Sequence, residues 1–366
     1  MVEISRRAFL GDLCGIAAAG AGIVSLGALQ GCSSNFAGQT LNILNWADYL
    51  HPDAIPQFEK RYQVKIVYDT FASNEALLAK LQAGGSRYDI IVPSSYMVKQ
   101  LRKLDLLAEL DHSRIKGLSG LMPRFWQAAY DPGLKHCVPY TWGTTGIGFS
   151  ASRLEESGLM TADRLPSLSW DIFWDKRFGG RLSLLDDARE VLGMALKLAG
   201  RSYNSTSETE IAAAKDTLLV QKPLTMCYTS DQVIVELSSG DAQLAQVFSG
   251  DAYQARRDNK DVRYVIPNCG TSIWTDNFCI PKSAPHVDLA YLWVNYMLEK
   301  EVAAACANYT NYAIANRDAW QLVDSHLRQD ANLYPTGKLM DSCEELGDIG
   351  PAIFIYDRMW TELKCA

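Results

Sequence analysis

The sequence predicts an α/β fold built on parallel sheet, and three observations carry that expectation. Short apolar strands alternate with helical segments of about ten to twelve residues, the spacing of βαβ units. The chain has 366 residues, 48% of them hydrophobic, enough for two packed cores. Aromatic and acidic residues recur together just beyond the strand ends, where open parallel sheets bind ligands.

Taken in order, LNILNW (41–46) is a short apolar strand running into a polar loop, and residues 53–62 have helical spacing. Residues 64–68 alternate and are β-branched, which predicts a strand. Residues 74–83 read as a helix stopped by Gly84-Gly85, and 88–92 as a buried strand ended by Pro93. An amphipathic helix follows over 97–107. The middle repeats the theme, with strands near 145–149, 182–185, 242–248, 262–266 and 278–281 and helices over 190–198 and 233–238. The tail reads as helical over 289–307 and 353–363.

The first 32 residues read as an export signal rather than as part of the fold. Ser5-Arg6-Arg7-Ala8-Phe9-Leu10 has the form of a twin-arginine signature. A mildly apolar stretch from Cys14 to Leu29 ends in Leu29-Gln30-Gly31-Cys32, which resembles a lipobox and predicts acylation of Cys32. Residues 33–39 are small and polar, as a linker to a lipid anchor would be. No other segment reaches the ~18 apolar residues of a membrane span. The expectation is a periplasmic protein, exported by the twin-arginine route and tethered only by lipid.

The formal net charge of −7 argues against a nucleic-acid partner and is compatible with a cationic ligand. Of nine cysteines, seven remain after Cys14 and Cys32: 137, 227, 269, 279, 306, 343 and 365. The number is odd and no CxxC occurs, so free, mostly buried thiols are expected rather than a metal or redox centre. Enzyme signatures are missing: no GxSxG, no GxxxxGK[ST], no HExxH, and no GxGxxG after a strand. Neither catalysis, a cofactor nor a metal is expected.

What the strand ends do offer is carboxylates beside aromatic rings. Trp46, Asp48 and Tyr49 follow the first strand, and Ser94 and Tyr96 follow the third. Asp187 and Glu190, Phe248 and Asp251, and Trp274 and Asp276 lie at later ones. A buried ammonium is very costly without acidic partners. Its charge and its methylene stem both favour aromatic walls, at ~0.5–2 kcal/mol per cation–π contact. The pattern therefore fits an alkylammonium ligand. Local roles compete with this reading. Asp187-Ala-Arg-Glu190 has the form of a capping box. Asp48, Asp251 and Asp276 could be turn aspartates, Trp46 and Trp274 plain core, and Tyr49 and Tyr96 packing residues with wet hydroxyls.

From about Leu41 to Lys364 the chain resembles the spermidine/putrescine-binding proteins of bacterial ABC importers. The matching stretches are NWADYL (45–50), SNEALLAKL (73–81), YDIIVPSSY (88–96), VPYTWGTTGIGF (138–149), LLDDAREV (184–191) and IWTDNFCIP (273–281). The resemblance implies a two-lobed periplasmic-binding fold of type II, with ligand trapped in the interlobe cleft by hinge closure. It places lobe 1 at 40–142 plus 277–313 and lobe 2 at 143–276 plus 314–366. The crossings fall near 141–148, 274–280 and 312–316.

By the same resemblance Trp46, Tyr49, Ser94 and Tyr96 line the pocket from the first lobe, and Asp187 and Glu190 face it from the second. Trp274 and Asp276 sit at the hinge, with Asp276 clamping an amino group, and Tyr312 adds another ring. Ala47 replaces a hydroxyl residue usual in the family, and Phe248 stands where Trp is common. Asp251 in FSGDAY resembles the putrescine-preferring members, while Asp187-Ala-Arg-Glu190 resembles the spermidine-preferring ones. Near Leu346 the latter carry an amide. The implied function is a monomeric extracytoplasmic receptor for spermidine, putrescine or both, delivering substrate to a membrane permease. The alternatives are a receptor for another small cationic or polar solute, and a ligand sensor without a transport role.

Overall fold

A computed structural model describes residues 36–83, 87–159 and 168–366. The export-signal reading of residues 1–32, with Cys32, lies outside them, as does the Gly84-Gly85 helix stop. Eleven strands form one continuous sheet: β1 (Thr40–Trp46), β2 (Lys65–Phe71), β3 (Ile90–Ile91), β4 (Cys137–Ser150), β5 (Leu182–Leu184), β6 (Thr225–Tyr228), β7 (Leu244–Phe248), β8 (Val262–Val265), β9 (Ser272–Cys279), β10 (Ala313–Ile314) and β11 (Glu344–Glu345). Their order is β2-β1-β3-β9-β4-β7-β5-β6, with β8 and β10 also on β4 and β11 on β9.

The two ends of this path are parallel and covered by helices, as alternating strands and helices dictate. At one end β1 pairs in parallel with β2 and β3, and its Leu41, Ile43 and Leu44 are fully buried. At the other end β5 pairs in parallel with β6 and β7. The centre departs from the all-parallel expectation. There β4 and β9 run antiparallel to each other, and β4 is antiparallel to β7, β8 and β10. These two strands cross from one half of the molecule to the other, so they must run against their neighbours.

The fourteen-residue β4 changes partners midway. Residues 137–144 pair with β9, and residues 145–150 with β7 and β8. Every residue of β4 is buried. Its glycines are close approaches rather than turns. A Cβ on Gly146 would lie 2.5 Å from the Tyr264 hydroxyl and 2.6 Å from the Val265 carbonyl oxygen.

One hydrophobic cluster joins β1, β3 and the first part of β4 to Phe58, Met97, Leu101, Trp293 and Tyr296. A second joins Ile147 and Phe149 of β4 to β5, to the helices Ala188–Leu198 and Glu208–Gln221, and to Tyr356 and Leu363. A third lies around β7, β8 and Ala303, Ala304 and Ala307. The molecule is thus the two-lobed, mixed α/β body that the resemblance implied.

Several element bounds differ from expectation. The single helix expected over 289–307 is two, Val287–Met297 and Lys300–Thr310, broken where Glu299 takes an extended ψ of 130°. The helix expected over 97–107 runs Ser95–Lys103, and Leu107 instead bridges Pro281. The helix Glu208–Gln221 and strand β6 were not anticipated. All seven cysteines among the described residues are unpaired, and three of them, Cys137, Cys279 and Cys306, are fully buried.

Candidate functional site

A cavity partly open to solvent lies between the lobes. Each predicted site residue among the described ones lines it: Trp46, Asp48, Tyr49, Ser94 and Tyr96 from the first lobe, Asp187, Glu190, Phe248 and Asp251 from the second, and Trp274, Asp276 and Tyr312 from the central strands and the loop before β10. Ala47, Phe71, Ala72, Asn74, Ser230, Asp231, Ile234 and Leu346 complete the wall. Six of these residues are carboxylic acids, and no lysine, arginine or histidine is among them.

Asp276 is the most enclosed of the acids reached by the central strands. Its residue pattern puts it before a strand starting at Phe278, and the resemblance puts it on the crossing at 274–280; it sits inside β9, which runs through Trp274 and Asp276. A fully buried strand hides its period, which is why its start was misplaced. Its Oδ1 accepts the Ser94 hydroxyl at 2.6 Å, and its Oδ2 accepts the Tyr49 hydroxyl. Ser94 is itself held by Asn74, whose Oδ1 accepts the Ser94 N–H at 3.0 Å. Burial pushes Asp276 up to about 7 even though both hydroxyls favour its charged form.

Asp251 is not a turn residue either. It lies in the first turn of the helix Ser249–Asp258, where a negative charge is favoured. The Tyr312 hydroxyl donates to its Oδ1 at 2.5 Å. Burial pushes Asp251 up to about 7, with the charges of Asp48 and Asp231 adding to the effect. Asp48 is exposed in the loop after β1, in a left-handed conformation with φ of 51°.

Asp187 and Glu190 resolve the question their spacing raised. Asp187 caps the helix Ala188–Leu198: its Oδ1 accepts the N–H groups of Arg189 at 2.8 Å and Glu190 at 3.0 Å. The second half of the capping box is missing. Glu190 does not reach back but takes the Ser272 hydroxyl, at 3.0 and 2.7 Å from its two oxygens. Both acids face the cavity, so one residue serves as cap and as wall. Burial, then the charge of Asp187, pushes Glu190 up to about 8. Arg189 turns away, donating to the Gly347 carbonyl oxygen and to Asn204 Oδ1, and Asp186 accepts Lys364 at the surface.

Aromatic rings close the space between the acids. Tyr49 and Tyr312 lie 5.1 Å apart by centroid, and Trp274 lies 5.6 Å from Tyr312 and 5.5 Å from Phe248. Trp46 tilts against Phe71 at 4.4 Å, and its indole N–H donates to the Val92 carbonyl oxygen. Sequence reasoning missed Phe71, Asn74, Ser230, Asp231 and Ile234. Asn74 sits in the SNEALLAKL stretch, where helical spacing masked a polar residue turned to the cleft. Ser230 and Asp231 lie beyond β6, a strand whose TMCY sequence gives no alternation.

The arrangement can hold a small, extended cation: acids at intervals, rings between them, and no fixed positive charge in the wall. Among the described residues no cluster of histidine, cysteine and acid suits a metal ion.

The family model for bacterial extracellular solute-binding proteins matches residues 53–333. The chain is 32% identical over 348 residues to the spermidine/putrescine-binding periplasmic protein of Escherichia coli K12, covering 95% of this chain and 97% of that one. It is 33% identical over 341 residues to the putrescine-binding periplasmic protein PotF of the same organism, covering 89% and 91%. The solved TpPotD lipoprotein of Treponema pallidum is 30% identical and superposes with a TM-score of 0.75 over 88% of this chain and 99% of that one.

Proposed function

Because this chain belongs to the bacterial extracellular solute-binding family, in its spermidine/putrescine-binding branch, we propose that its cleft captures a polyamine outside the cytoplasm and presents it to the membrane subunits of an ABC importer. The observation that carries this reading is the cavity wall, with six carboxylic acids, seven aromatic rings and no basic side chain. An anionic or neutral solute would leave the buried Glu190 and Asp276 without a cationic partner. The protein acts by binding and release rather than by catalysis, as a monomer. Its twelve site residues are those named from the sequence, with Asp276 as the principal clamp. Ligand is trapped as lobes 40–142 plus 277–313 and 143–276 plus 314–366 close upon it. The twin-arginine signature and the lipobox-like Cys32 support export in the folded state and a lipid tether. The lipoprotein relative from Treponema pallidum is consistent with that tether.

Calorimetric titration with putrescine, cadaverine, spermidine and spermine at moderate salt tests the proposal. Heat of binding is expected with at least one of them, and its absence with all four overturns the reading.

The wall at Tyr312 offers a second test. A Cβ on Gly250 would lie 2.5 Å from three atoms of the Tyr312 ring. Gly250→Ala therefore drives the ring away from Asp251 and out of its place between Tyr49 and Trp274. Overpacking of this kind costs ~1–3 kcal/mol. Polyamine affinity is expected to fall about tenfold, with the loss of Tyr312 from the wall visible in the fluorescence response of Trp274 to ligand. Unchanged affinity would remove Tyr312 from the site.

A further inference from the structure

The first turn of the helix Asn74–Gln82 lies against the cavity, with Asn74 in the wall. The next residue, Glu75, is outside the wall and takes no part in the site as described so far. Its Oε1 accepts the hydroxyl of Tyr96 at 3.1 Å, and Tyr96 is a buried wall residue. From the other lobe, the helix Ala188–Leu198 brings its cap Asp187 into the same cavity wall as Tyr96, near enough for its charge to act on both Tyr96 and Glu75. The cation on that side is Arg189, whose guanidinium lies 5.4 Å from the Tyr96 ring centroid. Its Nη atoms are already used by Gly347 and Asn204.

Two carboxyls from opposite lobes thus flank one phenol at one end of the cavity. At the other end stands the Asp251–Tyr312 pair with Asp48 and Asp231 near it, and Asp276 lies between, on Tyr49 and Ser94. We propose that Glu75 is a positioning residue which, through Tyr96, holds a proton against Asp187 in the empty cleft and releases it when an ammonium arrives there, so that it favours polyamines long enough to reach that end. The inference rests on the polyamine reading. Closing the lobes on two ionised carboxyls without a cation is unfavourable, since like charges at close range disfavour ionisation. A proton or an ammonium can relieve it. Burial, then the charge of Asp187, pushes Glu75 up to about 7, and Asp187 is raised as well. The opposing influences are the Tyr96 hydroxyl and Arg189, both of which favour the charged form of Glu75. On this proposal a diamine held at Asp276 and Asp251 leaves this end free and the proton in place.

The test is calorimetry in two buffers of different ionisation enthalpy, which counts protons released on binding. It is run with spermidine and with putrescine, on the full chain and on Glu75→Gln. The wild-type protein is expected to release more protons with spermidine than with putrescine. Glu75→Gln is expected to reduce that excess, the remainder coming from Glu190 beside Asp187, and to flatten the rise of spermidine affinity between about pH 6 and 8, while putrescine affinity changes by less than about twofold. A packing role alone would leave the proton count and the slope unchanged. Should the Gln variant fail to fold or to bind, Glu75→Asp keeps a carboxyl and is expected to keep the excess. An excess equal in wild type and Gln variant, or absent from an Asp variant that binds spermidine, overturns the proposal. Binding of neither amine by the wild type overturns the polyamine reading, and this inference with it.

Discussion

Asp276→Asn is expected to lower polyamine affinity by a factor of about 10²–10⁴ while leaving the fold intact. The carboxyl is buried, with Ser94 and Tyr49 donating to its two oxygens. An ammonium docked there gains a fixed charge partner and is shielded from water. Removing one partner of such a buried pair costs ~3–5 kcal/mol, against only ~8 kcal/mol for micromolar binding as a whole. The empty protein responds differently. Burial already disfavours the charged form of Asp276, so the isosteric amide replaces a group that is neutral for much of the time. The melting temperature without ligand is expected to stay within a few degrees of wild type, or to rise. The stabilisation that saturating ligand confers is expected to vanish. Thermal melts with and without spermidine, beside a titration, read both effects. Near-wild-type affinity in this variant would exclude Asp276 as the clamp.

The second large effect is on pH. Burial raises Glu190 to about 8 and Glu75, Asp251 and Asp276 to about 7, all from ordinary carboxylate values near 4. A folded-state value above the unfolded one means that the folded chain holds more protons over the interval between them. Stability from these groups is therefore fully present below about pH 4 and is lost as pH rises through about 7 to 8. The ligand-free protein is expected to melt several degrees lower at about pH 8.5 than at about pH 5.5, apart from the other titrations of the chain. Binding reverses the sense. An ammonium lowers these values by favouring the charged form, so capture expels protons and affinity rises with pH across the same window, until the amines themselves lose charge. The check is a melting series from about pH 5 to 9 with and without spermidine. A pH-independent gap between the two series would show that the acids are already ionised in the empty cleft.

The parts of this architecture that could be read from sequence are those with a half-buried period or a strong local cap. Strand β1, the helix Ala54–Tyr62 and the Asp187 cap stand close to where their residues put them. What could not be read is buried on all sides. TWGTTGIGF within β4 has no alternation because both of its faces are covered, and only its last third was recognised. β9 was misplaced for the same reason, and with it the setting of Asp276. For Asp251 a turn role competed with the ligand reading, since loop aspartates commonly make turns. Here Gly250 is present because the Tyr312 ring lies where a side chain would be. Glu75 was hidden differently. A glutamate in a first helical turn needs no further explanation, and only the second lobe, more than a hundred residues away in sequence, gives it another partner.

The change of partners in the middle of β4 bears on how the protein can come apart. At Thr144 the strand still pairs with Ile273 of β9, and at Thr145 it already pairs with Phe248 of β7. Neither lobe owns the strand, and neither keeps a complete sheet without it. Melting one lobe strips an inner strand from the other, leaving unpaired backbone groups in its interior. The two lobes should therefore denature as one cooperative unit in spite of separate hydrophobic clusters. A half-molecule cut on either side of this strand would be a poor starting point for an isolated domain.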